Sequence, residues 1–346
     1  MNLHVLKSIG SAALLAAAVC GCGPRQPVLH IYTWSDYIKP ELVRRFQQEN
    51  RCRVVIDTYD SNEAMYAKLK AGATGYDLLF PSSYMVKIMK NQGMIQNLNH
   101  DWLPNLRNID PDYLAMAADR QMEHSVPYTA TITSLGFLPD RLENFEPSWS
   151  LFGRADLKGR MTMLDDYRET IGAALKFLGY SLNTRSDQEL AEARDVVLGW
   201  KRNLAKFENE QYKTGLASSE FILVHGYSGD LMQVQEENDS IQIAVPREGS
   251  ALSFDDMVIP ASAREVELAH RFINFILEPE VAAELTEHIY YLCPNLPSYE
   301  LLPAEIREAP ILFPPPEVIA KLEMIDDLGA DNQKYSRIWD EIKAGE

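Results

Sequence analysis

Between Leu29 and Pro81 the chain alternates β-prone and helical segments with short connections, and this order restricts the fold more than any other feature. Leu29–Thr33 is a β-prone run. Pro40–Asn50 carries Leu42, Val43 and Phe46 at helical spacing, with Pro40 suited to a first turn. Residues 53–59 form a Val/Ile-rich strand, Ser61 caps a helix that runs to about Leu69, and Tyr76–Pro81 is a third strand. Strand–helix–strand with short links implies a parallel sheet, right-handed crossovers and helices on both faces. Ligands of such sheets bind beyond the carboxyl ends of the strands. Those ends are Thr33-Trp34-Ser35-Asp36-Tyr37, Thr58-Tyr59-Asp60 and Pro81-Ser82-Ser83-Tyr84, all aromatic and polar.

The middle of the chain repeats the style. A strand at Met161–Leu164 runs into Asp165-Asp166-Tyr167-Arg168-Glu169, and a helix follows that stops at Gly179. Residues 187–207 read as one longer amphipathic helix. Ile222–His225 is a strand that ends in Gly226-Tyr227-Ser228-Gly229-Asp230. Residues 241–245 and 257–259 are strand-like, 265–277 is helical, the Pro-rich stretch 309–316 is extended, and a last helix surrounds Trp339.

The first residues read as an address label. Lys7 precedes an apolar run, Ile9–Val19, that is too short to span a bilayer and ends in small residues, as in a secretory signal. The junction Val19-Cys20-Gly21-Cys22 looks like a bacterial lipobox with Cys22 as the acylated residue, and 1–21 as the signal peptide. The alternative is plain cleavage near Gly21. An exported or lipid-tethered chain is expected, with membrane contact only through that lipid. The other two cysteines, Cys52 and Cys293, are far apart in sequence. Export would permit a bridge, but two buried thiols are expected.

With 50 acidic and 33 basic residues the net charge is −17, which repels phosphate backbones and excludes nucleic acid as a natural partner. Acid focused in a cleft would instead attract a cation. Chemistry-bearing motifs are missing: the seven histidines include no HExxH, and there is no P-loop or Gly-rich dinucleotide turn. Gly226-Tyr227-Ser228-Gly229-Asp230 fails as a nucleophile elbow because its fifth residue is Asp. His225 beside it reads as a packed strand residue. Asp166 and Glu169 could be paired catalytic carboxylates, but carboxylates at a helix start also simply favour its dipole.

Several motifs, in order, resemble the bacterial periplasmic spermidine/putrescine-binding proteins. They are Tyr32–Tyr37, Tyr59–Lys70, Tyr76–Tyr84, Ser125–Tyr128, Leu164–Glu169, Phe272–Leu277 and Tyr291–Leu296. The resemblance covers nearly the whole chain from Leu29 onward. It implies an α/β, two-lobed solute-binding protein fold (type II), each lobe a mainly parallel sheet flanked by helices, with two hinge crossings near 129–137 and 251–260. One lobe is then 29–133 plus 256–302, and the other 134–255 plus 303–346. It implies a binding protein of an ABC transporter, not an enzyme, with no cofactor and no metal. Its partners would be an inner-membrane permease and ATPase, and the binder itself a monomer.

The resemblance also assigns a site. It places Trp34, Tyr37, Tyr84, Tyr227 and Tyr291 in an aromatic wall against the methylenes of a polyamine. Asp166, Glu169 and Asp255 would stand opposite its ammonium groups, with Ser35 and Ser82 as smaller polar contacts. Asp36 and Asp230 match positions that are acidic in the putrescine-preferring branch. Three departures matter. Ser253 stands where a Trp or Phe is usual, with Phe254 beside it; Ile325 replaces a Gln of the spermidine branch; Tyr227 is commonly Trp. The ligand is therefore expected to be spermidine, putrescine or both. Alternatives are another small cation or amino compound on the same fold, an exported hydrolase using Asp166 and Glu169, or a polyamine-sensing subunit.

Overall fold

The strands of the computed structural model, which describes residues 26–345, are β1 (Val28–Trp34), β2 (Arg53–Tyr59), β3 (Leu78–Leu79), β4 (Ser125–Phe137), β5 (Met161–Met163), β6 (Lys206–Phe207), β7 (Leu223–Tyr227), β8 (Gln242–Ala244), β9 (Ala251–Val258) and β10 (Glu323–Met324). The segment 1–21 and Cys22 lie outside the described residues.

The first sheet has the order β2-β1-β3-β9-β4, with β1 parallel to β2 and β3, and with β9 and β4 antiparallel. The second repeats it as β6-β5-β7-β4-β8, again a parallel trio followed by antiparallel strands. The sheets are thus mixed, because the strands that pass between them return antiparallel to each parallel core. β4 belongs to both: 125–132 pair with β9, and 133–137 pair with β7. All thirteen residues of β4 are buried, which a strand enclosed by two sheets requires.

Local rules account for the elements around the cleft. Ser61 caps helix Asn62–Lys70 by accepting from Ala64 N at 3.2 Å. Helix Tyr167–Leu178 begins at the cap Asp166 and ends on Gly179 in the left-handed region, at φ 80°. The helix expected over 187–207 ends at Lys201. There Asn203 O accepts from Gly159 N and Ala205 N donates to Met161 O, so the chain turns to add β6 beside β5. Pairing at a sheet edge ends the helix two residues after Gly199, before the periodic pattern itself runs out.

Two large cores sit on either side of the shared strands. One packs Leu29, Phe46, Phe80, Phe272 and Leu285, and the other Phe152, Leu175, Leu190, Trp200 and Ile338. The closing helix Asn332–Ala344 seals the second with Tyr335, Ile338 and Ile342. Ile306 and Leu312, in a stretch the sequence gives to the second lobe, pack with Leu302, Ala283 and Leu292 of the first and with Met232 of the second. They wedge behind the hinge. Cys52 and Cys293 are buried and unpaired, and burial pushes the Cys293 thiol up to about 12. His225 is buried edge-on to Trp149, and desolvation lowers it to about 3, so it is a neutral packing residue.

Gly249 feeds the chain into β9 at φ +94°, and a Cβ there would lie 2.1 Å from the Lys321 carbonyl oxygen. Gly249→Ala should therefore lower the free energy of unfolding by about 1–3 kcal/mol. Urea titration of the two proteins checks this, and an unchanged midpoint would contradict the stated contact.

Candidate functional site

The carboxyl ends of β1, β2 and β3 open onto a cleft whose opposite wall is built by the loop after β5 and the turn after β7. Its lining includes all twelve side chains singled out from the sequence: Trp34, Ser35, Asp36, Tyr37, Ser82, Tyr84, Asp166, Glu169, Tyr227, Asp230, Asp255 and Tyr291. Nine carboxylates and two basic side chains, Arg168 and Lys213, line it. The excess of acid that composition shows for the whole chain is thus concentrated here.

Each central carboxylate is held by neutral donors. Asp255, on β9, accepts from the Ser82 hydroxyl at 2.6 Å and from the Tyr37 hydroxyl at 2.5 Å. Ser82 is itself fixed by Asn62, whose amide donates to Ser82 Oγ and whose carbonyl accepts from Ser82 N. Burial pushes Asp255 up to about 6 despite these hydrogen bonds. Asp166 accepts from the backbone N–H of Arg168 and Glu169, the ordinary work of a helix cap. Glu169, one turn in, accepts from Thr133 Oγ1 at 3.0 Å and Ser253 Oγ at 3.4 Å. Burial, and then the charge of the neighbouring carboxylate, raises both: Glu63 acts on Asp166, and Asp166 on Glu169. Arg168 stands between them in sequence but turns away. Its guanidinium donates to Asp326 O, Asn332 and Asn183 and lies 4.7 Å from the centre of the Tyr335 ring. It ties down the C-terminal segment and makes no salt bridge to the pair, and its charge only partly offsets the rise of Asp166 and Glu169.

The Gly226-Tyr227-Ser228-Gly229-Asp230 turn is a cradle for a carboxylate. A Cβ on Gly226 would lie 2.6 Å from the Tyr212 ring, and one on Gly229 would lie 2.4 Å from the Tyr291 ring. The two tyrosines for which these glycines make room both donate to Asp230, Tyr212 at 2.5 Å and Tyr291 at 2.8 Å. Ser228 turns to the hinge, meeting Thr131 Oγ1 at 3.1 Å and accepting from Ile132 N. Aromatic edges enclose the rest. Trp34 packs on Tyr59 with ring centres 4.6 Å apart and donates to Phe80 O, while Tyr37 and Tyr291 meet edge to face at 5.7 Å.

The departures resolve by strand alternation. Ser253 and Asp255 face the cleft, and Phe254 points to the other side of β9, buried against Tyr113. Phe254 therefore cannot replace the missing aromatic, and a hydroxyl stands in that place. Ile325, after β10, lines the cleft as an apolar contact. Sequence reasoning did not single out Glu63, which accepts from Tyr84 OH at 3.0 Å, nor Tyr167, Thr133 and Lys213. Glu63 lies four residues past the end of β2 and was within reach of the strand-end rule. Thr133 and Lys213 carried no local signal, because their place follows from how the sheets are joined. The arrangement offers hydrogen-bond acceptors and aromatic faces to an elongated cation. Among the described residues, no group of three or more His, Cys, Asp or Glu side chains is placed to hold a metal ion.

A family model described as bacterial extracellular solute-binding protein matches residues 41–314. The chain is 32% identical over 367 residues to the putrescine-binding periplasmic protein PotF of Escherichia coli (strain K12), covering 100% of this chain and 99% of that protein. It is 34% identical to the spermidine/putrescine-binding periplasmic protein of the same organism, covering 92% of each. Among solved structures, the Tp0655 (TpPotD) lipoprotein of Treponema pallidum superposes with a TM-score of 0.83 at 34% identity, covering 91% of this chain and 99% of that one.

The raised carboxylates set a pH dependence. Asp255 ionises near 6 when folded and near 4 when unfolded, so its contribution to stability is present at low pH and fades as pH rises through about 6. Asp166 and Glu169 act in the same direction. The thermal midpoint of the ligand-free protein should fall between pH 5 and pH 7.5, and Asp255→Asn should flatten the fall. A midpoint that rises over this range would show the carboxylates to be better stabilised than burial allows.

Proposed function

The chain belongs to the bacterial extracellular solute-binding proteins, two-lobed α/β proteins that bind and deliver solutes without catalysing a reaction, and from that membership we propose that its cleft captures a polyamine for an ABC permease. The observation that carries the reading is the pairing of buried and half-buried carboxylates, none with a salt-bridge partner, with aromatic walls. A polyamine is a run of methylenes bearing ammonium groups. Aromatic faces cover the methylenes and attract the cations by about 0.5–2 kcal/mol each. A buried carboxylate held only by hydroxyls and N–H groups still lacks a counter-charge, which an ammonium group supplies. Asp255, Asp166 and Glu169 take the ammonium groups, Trp34, Tyr37, Tyr84, Tyr227 and Tyr291 the methylenes, and Ser35 and Ser82 act as smaller polar contacts. Asp36 and Asp230 extend the acidic wall.

We take the lobes as 29–133 plus 256–302 and 134–255 plus 303–346, joined through β4 and β9. Ligand between them is touched by both, so binding favours the closed arrangement over the open one. The closed form is what a permease with its ATPase would engage. An extracytoplasmic location follows from the family, and attachment through a lipid on Cys22 is our reading of the lipobox. The name of the Treponema relative, a lipoprotein, supports it. Cys22→Ser should then move the protein from the detergent phase to the aqueous phase on Triton X-114 partition; an unchanged partition would mean no lipid at that residue.

The direct test is calorimetric titration of the mature protein, unfolded and refolded to remove carried ligand. Putrescine, cadaverine, spermidine and spermine are the probes, with arginine and glycine betaine as controls. Binding near micromolar, about −8 kcal/mol, to one or two polyamines alone is expected. Asp255→Asn should weaken it more than tenfold. Absence of heat with every polyamine would overturn the reading.

A further inference from the structure

Lys213 is a cation inside a cleft suited to cations. It projects from the helix Gln211–Ala217, and its Nζ lies 3.3 Å from Glu210 Oε2 and 3.7 Å from Asp230 Oδ2. Its side chain is only 28% exposed, so the amine is drawn into the cleft and not extended into water. Burial opposes its charge, but Asp230, Glu210 and Asp36 together outweigh that and keep it protonated. Asp230 also accepts from Tyr212 and Tyr291. At this end of the cleft the central carboxylate already has both a counter-charge and hydrogen-bond donors.

The other end is different. Asp255 meets only the hydroxyls of Ser82 and Tyr37, and Glu169 only those of Thr133 and Ser253. Ser253 and Asp255 are alternate residues on one face of β9, and the Ser253 hydroxyl lies 3.4 Å from Glu169, so two carboxylates with no salt-bridge partner flank one stretch of the cleft. A third ammonium on a longer chain would have to enter beside Lys213, against its charge, or push it out.

We propose that Lys213 is a specificity-determining residue: as a tethered ammonium it occupies the Asp36–Asp230 end of the cleft and selects a short diamine over a triamine. The inference rests on the polyamine reading above. It differs from what the acidic residues suggest by themselves, since Asp36 and Asp230 without Lys213 would invite a further ammonium group.

The test is the ratio of spermidine to putrescine Kd, measured calorimetrically for the full mature chain and for Lys213→Gln, Lys213→Met and Lys213→Arg. The parent should bind putrescine more tightly. Both uncharged variants should shift the ratio at least tenfold toward spermidine, whereas Lys213→Arg should shift it far less. Two uncharged variants are used so that poor folding of one leaves the other to decide. A ratio that moves less than threefold in a folded uncharged variant would overturn the proposal, as would a parent that prefers spermidine. Failure of the parent to bind either polyamine is a separate outcome, which removes the polyamine reading and this inference with it.

Discussion

Carboxylates withdrawn from water without a cation beside them are the constraint on which this molecule depends. An ionised group in that position is costly unless every lone pair finds a donor. Here the donors come from widely separated parts of the chain. Tyr37 follows β1, Ser82 follows β3, Thr133 lies inside β4, and Ser253 lies on β9. No segment of the chain could assemble the set by itself. The two sheets, and the strands they share, are what bring hydroxyls to these anions without bringing a salt-bridge partner.

Much of this was legible in the sequence, for identifiable reasons. Alternation of strand and helix gave the parallel core, and the rule that ligands sit at strand ends pointed to Trp34, Asp36, Tyr37 and Ser82. The ordered motifs gave the second wall. What the sequence obscured were consequences of joining distant parts. β4 contains polar residues throughout, Ser125, Thr129, Thr131, Thr133 and Ser134, yet every one is buried because both its edges are paired. The helix boundary at Lys201 depends on an edge strand that exists only once β5 is in place. The question of Ser253 against Phe254 was decided by the two-residue period of β9, which could be applied only when the strand itself, and not just 257–259, was recognised.

The repeated strand order has a mechanical meaning. Each sheet carries its own parallel trio and its own core, so each can move as a body. β4 is continuous across both and β9 pairs along it, so relative motion of the bodies must be absorbed by twisting this ribbon. Asp255, Ser253 and Thr133 are part of that ribbon. Side chains that line the cleft, or fix the carboxylates in it, therefore sit on the same ribbon that relative motion of the two bodies would twist.

The two cysteines of the described region bear on how such motion could be watched. Both are buried in the first core, unpaired, and the thiol of Cys293 is held far from ionisation. Thiolate is the reactive form, so neither residue competes for maleimide under mild conditions. In a chain lacking residues 1–22, a single cysteine placed on each lobe would accept dyes with little background. The native protein is in that sense already a scaffold for a fluorescent reporter of its own ligand.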